Sequence, residues 1–232
     1  MYISLMQPHF FPAFSYFELI FRSKKFVFLT KVQLSRQSYQ TRNRIISNKK
    51  IQWINCSVAR PNSAESKLIC DAKFSNSIWK DKLLKTLKLS YSNAEHKNCV
   101  QDVISFMEDW QGTRLCKFNI DLIFMVLDKL RATTEMILDS ELDLPDHRAL
   151  RIIELMKNNP DLIYLYPPGS EEYMKSDNLF SENFKCEVFN YKPLKFETET
   201  CRLSFIEVAA NYGWENFKQM LETRNENYKF TS

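Results

Sequence analysis

With 232 residues, 44% of them hydrophobic and 14% aromatic, the chain has the length and apolar content to bury a sizeable core, which excludes a disordered ground state. A net charge of +4 without a dense Lys/Arg face tolerates anionic ligands and argues against a nucleic-acid partner. The six cysteines (Cys56, Cys70, Cys99, Cys116, Cys186 and Cys201) form no C-x-x-C pair, and no two His lie near them, so no metal is expected. The sequence has no charged n-region, no cleavage site and no apolar run of about 18 residues, so a cytoplasmic location, reduced thiols and no membrane partner are expected.

In chain order, residues 3–6 predict a short strand. Gln7-Pro8-His9-Phe10-Phe11-Pro12 predicts a tight loop, because two prolines remove N–H donors and fix φ. Residues 13–22 predict a helix with Tyr16, Phe17 and Ile20 on one side, and residues 25–29 a second strand. This β-α-β order predicts a parallel sheet, whose ligands sit beyond the carboxyl ends of the strands, where Gln7, His9 and Gln33 fall. Residues 34–47 predict a polar loop carrying Arg36, Arg42 and Arg44. Residues 51–58 alternate with period two and predict a strand, followed by a polar loop over 59–66 and a short strand over 67–74.

Three amphipathic helices follow, predicted over 78–91, up to about Gln111, and from an Asn119 N-cap onward. Residues 134–138 predict a strand, 147–158 a helix capped by Asp146, and 162–166 a buried strand running into Pro167-Pro168-Gly169-Ser170. A helix from Glu171, a last strand over 184–191, and a C-terminal helix with a Ser204/Glu207 capping box ended by Gly213 complete the chain. The expected fold is one α/β domain over 1–232 with a mainly parallel, Rossmann-like sheet, a helical insertion over 78–131 and a helical tail.

Met6-Gln7-Pro8-His9-Phe10-Phe11-Pro12 with Tyr16-Phe17, Val32-Gln33, Arg42-Asn43-Arg44, and Tyr166-Pro167-Pro168-Gly169-Ser170 with Tyr173 give the chain a resemblance to the WbqC-like family of bacterial proteins. Trp53, Trp79 and Phe118-Asn119 extend it across nearly the whole chain. It implies a setting in O-antigen and other surface-polysaccharide biosynthesis, with a nucleotide-linked sugar or other small molecule as partner. The sequence departs from the family at Ser15, where Gly is usual, and at Thr30-Lys31, where an Asp-Asp pair is usual. The first βα turn also resembles the HxGH turn of nucleotidyltransferases, which steadies ATP phosphates with two histidines. Ala13 and Tyr16 stand at those positions here.

The resemblance implies an enzyme that modifies a nucleotide-linked amino sugar, in this reading by acyl or aminoacyl transfer, with ATP as the candidate activator. The alternative is a non-catalytic nucleotide-sugar binding or scaffold protein. His9, the candidate general base, and Gln7 form the expected catalytic pair. Tyr16, Gln33, Arg42, Asn43, Arg44, Pro168, Gly169, Ser170 and Tyr173 form the expected substrate- and phosphate-binding set, with the arginines as bidentate donors. No sequence feature sets the oligomeric state.

Overall fold

The computed structural model describes residues 1–35, 37–60, 67–197 and 201–229. Arg36 and most of the polar loop predicted over 59–66 lie outside the described residues. The chain opens with β1 (Tyr2–Met6), α1 (Phe14–Arg22) and β2 (Ser23–Phe28). An antiparallel pair, β3 (Arg42–Ser47) and β4 (Lys50–Asn55), follows. Three helices come next: α2 (Ile78–Ser90), α3 (Lys97–Asp109) and α4 (Leu115–Lys129). Then come β5 (Glu135–Leu138), α5 (Arg148–Lys157), β6 (Ile163–Tyr166), α6 (Glu171–Ser176), β7 (Cys186–Val188) and α7 (Ile206–Lys229).

Five of the strands form one sheet in the order β5-β2-β1-β6-β7, and every pairing is parallel. Counted along the chain within that sheet, the order is 3-2-1-4-5, the doubly wound Rossmann-like arrangement. Period-two alternation divides the sheet's side chains between two cores. Ile3, Leu5, Val27, Tyr164 and Tyr166 pack with Ala149, Ile152, Leu155 and Met156 of α5. Phe26, Phe28 and Leu165 pack on the other side with α1, α7 and the helical segment. The apolar stripes of that segment, including Trp79, Leu83, Val103, Met107, Phe118 and Leu122, all enter this larger core.

Several local expectations are corrected. Residues 42–47 are a strand, not a loop, and Arg42 and Arg44 are its outward positions. Asn43 and Ile45 alternate with them into the interior, so the period-two pattern is present but its outer face is arginine and one inner position is polar. Asn48 and Lys49, at φ 51° and 61°, make the two-residue turn of the hairpin, in the left-handed region that such turns need. The strand predicted over 51–58 ends at Asn55, and Val58 makes only a single bridge, to Phe74. In place of a strand over 67–74 there is a 3-10 turn at Ile69–Asp71.

Asn119 lies inside α4, which begins at Leu115, because its side chain has buried carbonyls to serve elsewhere. His147, not Asp146, precedes α5, and among the described residues no side chain caps that helix. Gly213 breaks the helical backbone as predicted: at φ 74°, ψ 169° it divides α7 into two helical segments, with the His96 ring packed against it, and the segment after it was not expected. The capping box is only half formed. Ser204 Oγ accepts from the Ile206 N–H, but the Glu207 carboxylate accepts from Tyr91 Oη and the Ile46 N–H instead.

Candidate functional site

In an open α/β sheet the strand order reverses at one place, and the connections diverge to opposite faces there, leaving a crevice at the carboxyl ends. In this sheet that place is between β1 and β6. Two clefts open on it, of about 440 Å³ and about 420 Å³, and Met6 and Pro167 line both. One lies on the α5 side, lined by Gln7, Lys31, Gln33, Asp146, Arg148, Arg151, Ser170 and Tyr173, among others. The other lies on the α1 side, lined by His9, Ser15, Tyr16, Tyr39, Pro168, Phe189, Tyr191 and Arg202, among others.

The loop after β1 is held by side chains that sequence reading assigned elsewhere. Asn119 Nδ2 donates to Pro8 O at 3.0 Å and to Gln40 O at 2.9 Å. Asn43 Nδ2 donates to Phe11 O at 2.6 Å, so Asn43 is a buried structural group facing the loop's backbone. Gln40 Nε2 donates to Gln7 Oε1 at 2.6 Å. Phe11 takes φ 48°, an uncommon conformation for a bulky residue, and Phe10 and Phe11 on either side of the turn are wholly buried. The loop is therefore fixed from several directions rather than free to adapt.

His9 sits between two tyrosines, 4.9 Å from the Tyr16 ring and 5.6 Å from the stacked Tyr39 ring. Burial lowers its pKa to about 4, so the imidazole is neutral at pH 7 and a weak base. Tyr16 is almost fully buried and donates its hydroxyl to Gln7 O at 3.0 Å, and burial raises its pKa well above the usual phenol value. It supports the turn more than it offers a surface. On the facing wall, the Arg202 guanidinium lies 4.3 Å from the centre of the Tyr191 ring.

The loop after β2 is organised by Asp139, which is buried at the end of β5. Its carboxylate accepts from the N–H groups of Thr30 and Lys31 at 2.9 Å each, and from Thr30 Oγ1. Where the resemblance implies two carboxylates, this chain has a hydroxyl bonded to a carboxylate from the neighbouring strand, and an exposed lysine on the cleft wall.

The clefts bring together Gln7, Gln33, Ser170 and Tyr173 on one side and His9, Tyr16 and Pro168 on the other. Gly169 sits exposed in the Pro168–Ser170 turn, and a Cβ there would meet nothing within 4 Å, so nothing nearby requires a glycine. Helix α6 begins with Glu171 and Glu172, which oppose an anion at that turn. Arg42 and Arg44 line neither cleft; each lies 4.3 Å from the centre of the Trp53 ring, stacked on the hairpin's outer face.

Sequence reading missed Lys31, Tyr39, Arg151, Tyr191 and Arg202. Arg151 had a legible signal: it falls between Ala149 and Leu155 on the buried stripe of an amphipathic helix, where a charge is out of place.

The family model of the WbqC-like protein family matches residues 7–219. Over 182 residues the chain is 23% identical to the uncharacterized protein Rv1507c of Mycobacterium tuberculosis, a match covering 78% of each chain. No solved structure gives a significant match. Among the described residues no helix is long and apolar enough to cross a membrane, and no group of three or more His, Cys, Asp or Glu is placed to hold a metal ion.

Proposed function

The chain belongs to the WbqC-like protein family, and from that premise we propose that it binds a nucleotide-linked amino sugar at the β1/β6 switch and modifies it by acyl or aminoacyl transfer during bacterial surface-polysaccharide synthesis. ATP is the activating co-substrate in this reading when the donor is a free carboxylate. The observation that carries the reading is the 3-2-1-4-5 sheet order with both clefts at its reversal point, the usual seat of nucleotide ligands in such sheets. The α1-side cleft, with Tyr39, Phe189 and Tyr191 on its walls, suits a planar base or the apolar face of a sugar. At the turn where HxGH enzymes hold ATP phosphates, Ala13 and Tyr16 offer no imidazole, and no step is assigned to that turn.

A second reading, binding without turnover, is favoured by His9. With its pKa near 4 the imidazole, already packed between two tyrosines, holds a ligand by hydrogen bonding better than it removes a proton. Titration calorimetry with a panel of nucleotide sugars, followed by mass spectrometry of mixtures containing acyl donors and ATP, separates the two. Binding with a mass change supports the enzyme; binding alone supports the second reading. Tyr191→Ala should weaken binding about tenfold, as loss of a stacking partner does, and Arg42→Ala/Arg44→Ala should leave it unchanged. A folded protein that binds no member of the panel refutes both.

A further inference from the structure

Arg151 is 5% exposed, yet no carboxylate lies within ion-pair distance of it among the described residues. Its Nε donates to Pro145 O at 3.1 Å and its Nη2 to Asp146 O at 3.0 Å, while Nη1 bonds to nothing among the described residues. The side chain lines the α5-side cleft. A buried guanidinium without a counter-ion is costly, and the two carbonyls fix its position without neutralising it. Such an arrangement is suited to a charge that arrives with a ligand.

The surroundings agree. Helix α5 has no acidic side chain in its first turn, and no protein group accepts from the N–H groups of Arg148, Ala149 or Leu150 among the described residues, so its positive dipole end borders the same cleft. Arg148 is held in place by Asp177, at 2.9 Å, and by the Tyr173 ring, 4.1 Å from its guanidinium carbon. Lys31 is exposed on the cleft wall, and its ammonium has no partner among the described residues. Asp146 lines the cleft too and brings a carboxylate to its rim. It opposes a bare polyanion and accepts from a hydroxyl or ammonium beside the anionic group.

We propose that the α5-side cleft is an oxyanion subsite, in which Arg151 grips the phosphate or carboxylate of a hydroxyl-bearing small molecule and Lys31 adds a second positive charge. The inference deepens the nucleotide-sugar reading and rests on it only for the ligand's identity. It places the anionic half of the ligand on the α5 side and leaves the aromatic cleft for the ring.

The test uses the full chain with glycerol 3-phosphate in one arm and glycerate in the other, each carrying a hydroxyl beside its anionic group, at ionic strength matched with chloride. Thermal shift and calorimetry are the readouts. Wild type should be stabilised in at least one arm, and the responding arm identifies phosphate or carboxylate. Arg151→Lys should weaken that binding about tenfold or more, because an ammonium cannot reproduce the fork. Lys31→Glu, on an exposed residue, should weaken it by a similar factor and decides the question if the Arg151 variant does not fold. No stabilisation of wild type up to about 10 mM of either anion, far above a useful site's affinity, overturns the proposal. So does unchanged affinity in a folded Arg151→Lys. Binding of either probe that depends on Arg151 sustains the subsite even if no nucleotide sugar binds. A nucleotide sugar bound equally by wild type and both variants removes the subsite and leaves the broader reading intact.

Discussion

Replacing Asn119 with alanine tests whether this side chain, rather than the loop's own prolines, fixes the turn after β1. Asn119 is wholly buried and its Nδ2 serves two carbonyls from distant segments, Pro8 O and Gln40 O. Each buried carbonyl left without its donor costs about 1–3 kcal/mol. Against this, Asn119 Oδ1 is itself buried without a partner, and removing it returns about 1 kcal/mol. The net expectation is a loss of about 1–5 kcal/mol, a large part of the roughly 5–15 kcal/mol by which domains are stable. In urea titrations followed by tryptophan fluorescence, with a slope of about 2–3 kcal/mol/M, the midpoint should fall by about 1 M. Asn119→Asp should be worse at neutral pH, because it puts a carboxylate against the same two carbonyls. It should recover on acidification, when the protonated acid can donate one hydrogen bond. A loss below about 0.5 kcal/mol for Asn119→Ala, the range of ordinary surface changes, would refute the reasoning.

His9 should titrate near pH 4 by proton NMR. Because its folded-state pKa lies below the ordinary 6.5, the unfolded chain binds more protons between those values, so stability should fall as pH drops from 6.5 towards 4, and His9→Phe should flatten that slope. Gly213→Ala should destabilise by about 2–4 kcal/mol in the same urea assay, since φ 74° with ψ 169° is glycine territory. A Cβ there also meets His96 Nδ1 at 2.9 Å, so His96→Ala should relieve only the steric part of the loss.

The β1-α1-β2 opening and the β5-to-β7 half were legible because their apolar periods are uninterrupted and their loops carry proline or polar clusters. Strand β4 was legible from its alternation, but its partner β3 was not, because Arg42 and Arg44 gain their apolar contact from the face of Trp53, an interaction that no count of hydrophobic residues registers. Asn119 read as a cap because asparagine favours that position; its true partners lie 111 and 79 residues away. Gly213 stops the helix where glycine was read to stop it, but the helical segment that resumes after it was not read, and the His96 ring that packs there is distant in sequence. The carboxyl edge of the sheet could be inferred from strand order, but the residues facing across it could not. Tyr191 and Arg202 reach the α1-side cleft from the far end of the chain through tertiary packing alone.

The closure of α1 by α7 has a consequence for how the chain is made. Phe14 stacks on Phe217 at 5.3 Å, Phe17 meets both Phe205 and Phe217, and Arg224 donates to Glu18 across 206 residues. During synthesis α1 emerges with this apolar face uncovered, and part of its cover, Arg224, follows 206 residues after Glu18. Closing so long a loop is slow, and until it closes the phenylalanines of α1 are the surface on which aggregation begins or a chaperone binds. Ribosome-bound chains halted before Phe205 should therefore carry the opening β-α-β unit in a protease-sensitive state, and chains released after Arg224 should not.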